Sequence, residues 1–485
     1  MGMKQSIYRL LGRGVFPIGA YCAPQSACEH GGVRYPDRIT QRQYDLLAEA
    51  GVNLFYGHSE VVGDRAQADV PRALECAARA GAGYLARFEE AEEYCSLGFG
   101  HKGYPDYRTL SKIEREKLDD RFARSLEKYA GHPAFFGISF RDEPGAEMFP
   151  GIAAGKKVFD KVCGDKFFYV NMFPYYITPE QYQYSFGTGT KCSRKEFETN
   201  RSNLERYKDF AEEFLDTVRP EVYSYDAYPF TTLGPGAETG MHEVLYDIPQ
   251  YLAQVERERD IPFWMFMQEG GKWEGSLNVR IPNSAEHRLQ FSVGLAFGAK
   301  GLQLFPCCYP NDWLHDGICR AGLVDRLGNP TEFLGYVARE TKQVRAAGSL
   351  LLGAKWLGMI ASGRFSGLLP CEDELAKIQW NECIFRGNLP GGKGYLLKEF
   401  GRISGIEATS QAIAGCFERD GKKFIYLVNN SATTSAHVTV KFSEPMGGML
   451  IRNGERELFE GREVKIAAMT AGEGVLVQPE PREGV

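Results

Sequence analysis

Short apolar runs alternate with amphipathic stretches along the first two-thirds of the chain. This alternation is typical of parallel strands joined by crossover helices. Eight strand–helix repeats, with a last helix near residues 330–347, favour a closed (β/α)8 barrel over an open doubly wound sheet. The predicted strands cover residues 16–22, 53–58, 83–88, 134–140, 167–173, 222–228, 262–268 and 301–306.

Capping residues mark several of the predicted helix boundaries. Thr40 is a candidate N-cap and Gly51 a candidate C-cap of the helix between the first two strands. A long charged helix is predicted from Ser111 to Tyr129. No GxGxxG or Walker loop follows the first strand, which argues against a nucleotide-binding fold.

The pattern changes after about Lys355, where short alternating strands replace the strand–helix repeat. Turn pairs such as Asp420-Gly421 and Asn453-Gly454 separate these strands. We therefore predict an α/β (β/α)8 catalytic barrel over residues 1–350. Residues 351–485 are predicted to form an accessory all-β domain with a sandwich-like arrangement.

The length and composition agree with two globular domains. The 485 residues exceed the roughly 250 residues of a typical single barrel. A net charge of -6 gives no global reason to bind nucleic acid or an anionic membrane. The twelve cysteines are scattered without paired CxxC motifs, so we expect most to be reduced and buried.

The N-terminal residues do not resemble a secretory signal. Lys4, Arg9 and Arg13 interrupt any apolar run, and no window approaches the roughly 20 apolar residues of a membrane span. These features predict a cytoplasmic protein. A secreted or periplasmic protein whose signal has been removed is the alternative, and the oligomeric state stays open.

Two carboxylates end predicted strands of the barrel. Enzymes with this fold carry their chemistry at the C-terminal ends of the strands. The fourth strand ends in Asp142-Glu143-Pro144 and the seventh in Gln268-Glu269-Gly270. Glycoside hydrolysis needs two carboxyl groups, one to protonate the leaving oxygen and one to attack or to activate water. Each residue also has a structural interpretation, Glu143 as a helix cap and Glu269 as an ordinary loop carboxylate.

This arrangement resembles the clan of retaining barrel glycosidases that includes the β-galactosidase and cellulase-type families (clan A). The resemblance implies that Glu143 is the acid/base and Glu269 the nucleophile. Clan members usually have Asn-Glu-Pro at the end of the fourth strand, whereas this chain has Asp142 before Glu143. An ionised Asp cannot donate a hydrogen bond to a sugar hydroxyl, as the usual Asn does.

Other polar and aromatic residues near strand ends are candidates for substrate binding. Clan members often hold a Tyr near the end of the sixth strand against the nucleophile, and Tyr225 and Tyr228 are both candidates. Because side chains alternate along a strand, both cannot point towards the nucleophile. Arg141 is expected to pair with Asp142 or Glu89. The full set of predicted substrate-binding residues is Asp142, Asn171, Tyr225, Asp226, Tyr228, His58, Arg87, Trp273 and Trp313.

The sequence thus predicts a retaining exo-glycosidase that acts on β-linked sugars. No cofactor or metal site is predicted, since there is no HExxH motif, EF-hand loop or helical His pair. The alternatives are a carbohydrate-binding barrel without catalysis, and an inverting glycosidase or transglycosidase on the same rim. A carboxyl separation of about 5–5.5 Å would indicate retention and about 6.5–9.5 Å inversion.

Overall fold

The structure is a computed structural model, in which eight parallel strands close into a barrel. This confirms the predicted fold class. The strands are β1 (Ile18–Ala20), β2 (Leu54–Tyr56), β3 (Gly83–Ala86), β4 (Phe135–Asp142), β5 (Phe167–Met172), β6 (Tyr223–Tyr225), β7 (Phe263–Gln268) and β8 (Leu302–Phe305). The described residues are 5–30, 32–57, 66–98, 103–174, 179–184, 203–232, 239–241, 244–274, 277–308, 319–362 and 396–481.

Helices cover the outside of the barrel. The predicted caps are seen at several of them: Thr40 accepts a hydrogen bond from the Gln43 amide, and Ser111 forms a capping box with Glu114. Gly51 follows the C-cap residue with φ 115°, a conformation that favours glycine. The helices are α1 (Ser6–Leu11), α2 (Gln41–Glu49), α3 (Ala66–Arg79), α4 (Glu89–Tyr94), α5 (Lys112–Ala130), α6 (Phe149–Cys163), α7 (Pro179–Tyr184), α8 (Asn203–Val218), α9 (Val244–Arg259), α10 (Ser284–Ala296) and α11 (Glu332–Leu351).

Aromatic side chains fill the interior of the barrel. Tyr169 of β5 packs against Tyr56 of β2, with ring centroids 4.8 Å apart, and against Trp264 of β7 at 6.4 Å. Phe266 of β7 packs on Tyr21 at 5.2 Å, just beyond β1. These contacts cross the barrel, so alternate residues of each strand point inward.

A small antiparallel sheet forms at the C-terminal end of the barrel. Its strands follow β6, β7 and β8, in the loops where barrel enzymes carry their sites. Gln268 at the end of β7 holds this sheet against the barrel, because its side-chain amide forms hydrogen bonds with the backbone of Phe230, Gly270 and Arg280. The five strands are Phe230–Thr232, Thr239–Met241, Gly270–Glu274, Leu277–Val279 and Cys319–Ala321.

The predicted C-terminal all-β domain is confirmed. Where the pattern predicted a sandwich-like arrangement, the described strands form one seven-stranded antiparallel sheet. The strands are β9 (Lys355–Ser362), β10 (Ile403–Ala408), β11 (Ala412–Arg419), β12 (Lys422–Asn429), β13 (Ala436–Arg452), β14 (Glu455–Met469) and β15 (Gly474–Pro481). Their order in the sheet is β9-β11-β12-β15-β13-β10, with β14 paired to β13. The domain line predicted at 350/351 falls in the last turn of α11.

The β domain packs on the helices that follow β7 and β8. The Trp356 indole N–H donates to the Ala296 carbonyl of α10 at 3.1 Å, and Arg288 of α10 donates to Thr470 at 2.7 Å. One apolar core contains residues of both domains. Within the described part of the chain, no helix combines the length and the hydropathy needed to cross a bilayer.

Candidate active site

Glu143 follows β4 with a left-handed backbone. Its φ is 46°, which is uncommon for a residue with a side chain. The pairing of β4 with β5 shifts register between Ser139 and Arg141, so the end of β4 is bulged. The Glu143 amide donates to the Asn171 carbonyl of β5 at 2.9 Å. Strained residues of this kind concentrate at functional sites, since the surrounding structure must hold them in place.

Asp226 meets Glu143 at the rim of the barrel. It comes directly after β6 and has the same inward direction as Ser224, two residues before it. Its side chain is hydrogen-bonded to Glu143 and to Tyr228. Asp226 is only 6% exposed, and its Oδ1 has no hydrogen-bond partner among the described residues.

Burial raises the pKa of Asp226 to about 7, and the negative charge of Asp142 acts in the same direction. The hydrogen bonds from Glu143 and Tyr228 oppose this rise because they favour the charged form. Asp226 therefore keeps its proton up to about neutral pH and ionises above it, with Glu143 as a hydrogen-bond donor to the ionised form. Such a pair presents one protonated and one ionised carboxyl group at the same point of the rim.

Asp142 is held by the neighbouring strand. Its Oδ1 accepts a hydrogen bond from Asn171 Nδ2 at 3.0 Å. The other end of the Asn171 amide accepts from the Ser224 hydroxyl at 3.0 Å. Both ends of this amide are thus bonded to protein groups, so the Asn171 side chain has little freedom to bind a sugar hydroxyl as the sequence predicted.

A cationic cluster lies beside the carboxyl groups. Arg87 and Arg141 both donate to the carboxylate of Glu92, at 2.7 and 2.6 Å. The expectation that Arg141 pairs with Asp142 or Glu89 was wrong, because α4 turns Glu92 towards it. The charge of Asp142 contributes to raising the pKa of Arg87, after larger contributions from Glu92 and Tyr21.

Glu269 lies behind the barrel wall. It is fully buried, and its Oε2 lies 2.7 Å from Nε2 of His287 on α10. The rings of Phe291, Phe333 and Tyr336 surround that imidazole. Burial raises the pKa of Glu269, and His287 opposes this rise.

Strand alternation explains this orientation. The side chains of Met265 and Met267 of β7 point towards Gly294 of α10. A Cβ added to this glycine would come within 3.3 Å of Met265 and 3.8 Å of Met267. Glu269 is two residues further along and points the same way. The inward position at the end of β7 belongs to Gln268. Its amide is already bonded to loop backbone.

The two tyrosines near β6 point in different directions. Tyr223 donates to Tyr207 of α8 at 3.1 Å, outside the barrel, and Tyr225 has the same parity. Tyr225 is fully buried, and its hydroxyl has no partner within the described ranges. Tyr228 packs on Phe305, with centroids 5.4 Å apart, and bonds Asp226.

Three predicted binding residues lie beyond what the structure describes. His58 and Trp313 are outside the described residues. The backbone of Trp273 belongs to the strand Gly270–Glu274, but its side chain is outside the described part. These three assignments stay predictions.

The sequence reasoning missed the polar residues inside the barrel. Ser224 and Gln303 are fully buried, and Tyr169 bonds both of them. Each of these residues lies one or two positions before a rim position. Because side chains alternate along a strand, counting back from the predicted strand ends would have identified them as inward-facing. In the described part of the chain, no group of three or more His, Cys, Asp and Glu residues is arranged to hold a metal.

Comparison with known proteins shows a likeness in fold. No protein-family model matches the chain, and no curated protein matches it by sequence. Gan42B, a GH42 β-galactosidase, is 10% identical over 97% of this chain and 98% of its own, with a TM-score of 0.53. The β-galactosidase from Bacillus circulans sp. alkalophilus is 10% identical over 96% and 99%, with a TM-score of 0.51. The chain shares the fold of these β-galactosidases.

The match to a third protein covers less of that protein. The β-galactosidase from the psychrophilic Marinomonas ef1 is 11% identical over 69% of this chain, with a TM-score of 0.45. The chain spans 60% of the length of that protein. At these identities, the likeness concerns the fold alone.

Proposed function

We propose that this protein is a glycoside hydrolase that uses Glu143 and Asp226 as its two carboxyl groups. The observation that carries the proposal is their hydrogen bond at the C-terminal end of the barrel. Glycoside hydrolysis requires one protonated and one ionised carboxyl group near the same bond. When Asp226 ionises, at about pH 7, and accepts a hydrogen bond from Glu143, the pair supplies both forms.

We assign the proton donor to Glu143 and the nucleophile to Asp226. Glu143 is the more exposed of the two, so it can exchange its proton with solvent between the two steps. Asp226 receives hydrogen bonds from Glu143 and Tyr228, which favour its ionised form. Its second oxygen, Oδ1, has no hydrogen-bond partner among the described residues and is the atom that we expect to attack the anomeric carbon.

The contact between the two groups favours retention over inversion. An inverting enzyme keeps its carboxyl groups about 6.5–9.5 Å apart to hold a water molecule, whereas a retaining enzyme needs about 5–5.5 Å. Two carboxyl groups joined by a hydrogen bond have to move apart only slightly to admit a sugar in the retaining geometry. The nucleophile role of Glu269 stays a prediction, and its burial against His287 is the reason to prefer Asp226.

The substrate is proposed to be the terminal residue of a β-linked carbohydrate. The five-stranded sheet built by the loops after β6, β7 and β8 lies along one side of the barrel mouth. A mouth closed on one side favours exo action. Two solved proteins with the same fold are named β-galactosidases, so aryl β-galactosides are the first substrates to test.

Trapping of the covalent intermediate tests this proposal. A panel of aryl β-glycosides identifies the sugar, and its 2-deoxy-2-fluoro derivative is then incubated with the protein. Mass spectrometry of the digested protein should locate the label on Asp226. With azide, Asp226→Ala should yield a glycosyl azide of inverted configuration, and Glu143→Ala one of retained configuration. A label on Glu269, or the absence of hydrolysis across the panel, would overturn the proposal.

A further inference from the structure

A line of buried polar side chains runs through the barrel to the carboxyl groups. It consists of Tyr169, Gln303, Ser224, Asn171 and Asp142, from four different strands. The first four are at most 1% exposed. Polar groups buried at this depth require specific partners, because water cannot replace a lost hydrogen bond.

The hydrogen bonds along this line have one direction. Tyr169 Oη donates to Gln303 Oε1 at 2.5 Å, and Gln303 Nε2 donates to Ser224 Oγ at 2.7 Å. The Ser224 hydroxyl donates to Asn171 Oδ1 at 3.0 Å, and Asn171 Nδ2 donates to Asp142 Oδ1 at 3.0 Å. Every donor therefore points towards Asp142, and bonds in such a chain polarise one another.

Asn171 connects this line to the two carboxyl residues at the C-terminal end of β4, Asp142 and Glu143. Its side chain donates to Asp142, and its backbone carbonyl accepts the amide of Glu143 at 2.9 Å. The Asp142 carboxylate, which only accepts, takes the Nδ2 end of the amide, and the Ser224 hydroxyl holds this orientation by donating to the Oδ1 end. A reversed amide would direct an oxygen at the carboxylate.

We infer that Ser224, with Tyr169 and Gln303 behind it, is a positioning residue for the carboxyl cluster. It acts by holding the Asn171 amide with its N–H on Asp142. A role for Ser224 in catalysis rests on the proposed function. Its effect on the protonation of the carboxyl groups can be measured without any substrate.

Loss of the Ser224 hydroxyl should change the pKa of Asp226 in a defined direction. Removing the Ser224 hydroxyl loosens the Asn171 amide and weakens its hydrogen bond to the Asp142 carboxylate. The negative charge of Asp142, which raises the pKa of Asp226, then loses the N–H dipole that partly compensates it. The pKa of Asp226 should therefore rise above its value near 7.

Titration of the full chain tests this directly. The aspartate side-chain carboxyl carbons are labelled with 13C, and the Asp226 signal is identified by its loss in Asp226→Asn. In Ser224→Ala, we expect the Asp226 midpoint to rise by about half a pH unit or more. Ser224→Thr keeps a hydroxyl and should restore the wild-type midpoint. Tyr169→Phe, which removes a hydroxyl 2.8 Å from Ser224 Oγ but leaves the Ser224 hydroxyl in place, should give a smaller rise and decides the question if Ser224→Ala does not fold.

Ser292→Ala is the matched control. Ser292 is a buried serine of α10 whose hydroxyl bonds Tyr426 of the β domain, so its loss should leave the midpoint unchanged. A folded Ser224→Ala protein with a wild-type midpoint overturns the inference, as does an equal shift in Ser292→Ala. If the wild type hydrolyses no glycoside, the proposed function fails while the titration still decides whether Ser224 positions the cluster.

Discussion

Three carboxyl groups interact at the rim, while a fourth, Glu269, lies behind the wall of the barrel. Asp142, Glu143 and Asp226 come from the ends of two strands that are separated by β5. Asn171 of β5 contacts two of them and so fixes their relative position. The protonation state of Asp226 depends on its burial and on the nearby negative charge of Asp142.

The pH dependence of hydrolysis should reflect the ionisation of Asp226. Since the proposed nucleophile loses its proton as the pH rises through about 7, kcat/KM should rise through that pH. Asp142→Asn removes the like charge that helps to raise the pKa of Asp226, so this rise should move to lower pH. Profiles of kcat/KM against pH measure the shift. An unchanged acid limb in the variant would separate Asp142 from the pair.

Glu269 should matter for stability rather than for turnover. Glu269→Ala leaves the buried His287 imidazole without its partner, which should cost about 1–3 kcal/mol of unfolding free energy. Glu269→Gln keeps an acceptor and should cost less. Both variants should keep kcat/KM within about threefold of the wild type. A folded Glu269→Gln protein that loses hydrolysis by orders of magnitude would restore Glu269 as the nucleophile.

At the scale of elements, α10 connects the barrel to its surroundings. It carries His287 against Glu269, and Gln290 against the backbone of Gln268. Its opposite side meets the β domain through Ala296. The Asn283 side chain caps this helix by accepting from the amides of Ala285 and Glu286.

Loss of this cap should destabilise the fold. Asn283→Ala removes the acceptor for two amides and should lower the unfolding free energy by about 0.5–2 kcal/mol. Asn283→Asp keeps the acceptor and serves as the control. Urea denaturation measures both. Equal stability of the alanine variant and the wild type would mean that the capping box carries little energy here.

At the scale of the whole molecule, the two domains share one apolar core. Trp356 of β9 is 2% exposed and packs against Phe297, with centroids 6.2 Å apart. Its indole also bonds the end of α10. Unfolding of one domain would expose this surface on the other, so we expect both to unfold together.

Trp356→Ala tests this coupling. The cavity and the lost hydrogen bond should cost about 3–5 kcal/mol. Fluorescence and far-ultraviolet circular dichroism should report one common transition, at lower denaturant for the variant. Trp356→Phe retains most of the packing and should lose less. Two separate transitions in the wild type would show that the domains unfold independently.

Local patterns in the sequence determined the architecture. Each barrel strand falls within its predicted run or extends two residues beyond it. The period of hydrophobic residues and the caps at Thr40 and Ser111 act over a few residues, so they can be read without tertiary contacts. The same is true of the turns at Asp420-Gly421 and Asn453-Gly454, where all four residues have positive φ.

Only the tertiary structure decided which residues come together at the candidate site. The sequence placed Glu269 directly after a strand that ends at Gln268, as the structure has it, yet Glu269 faces α10. Every residue of this strand is buried, so the sequence pattern does not show which of its two faces points into the barrel. The hydrogen bond between Glu143 and Asp226, and the line of donors behind Asn171, join strands far apart in the chain. Closure of the barrel brings these groups together, and burial there then sets which carboxyl groups share a proton.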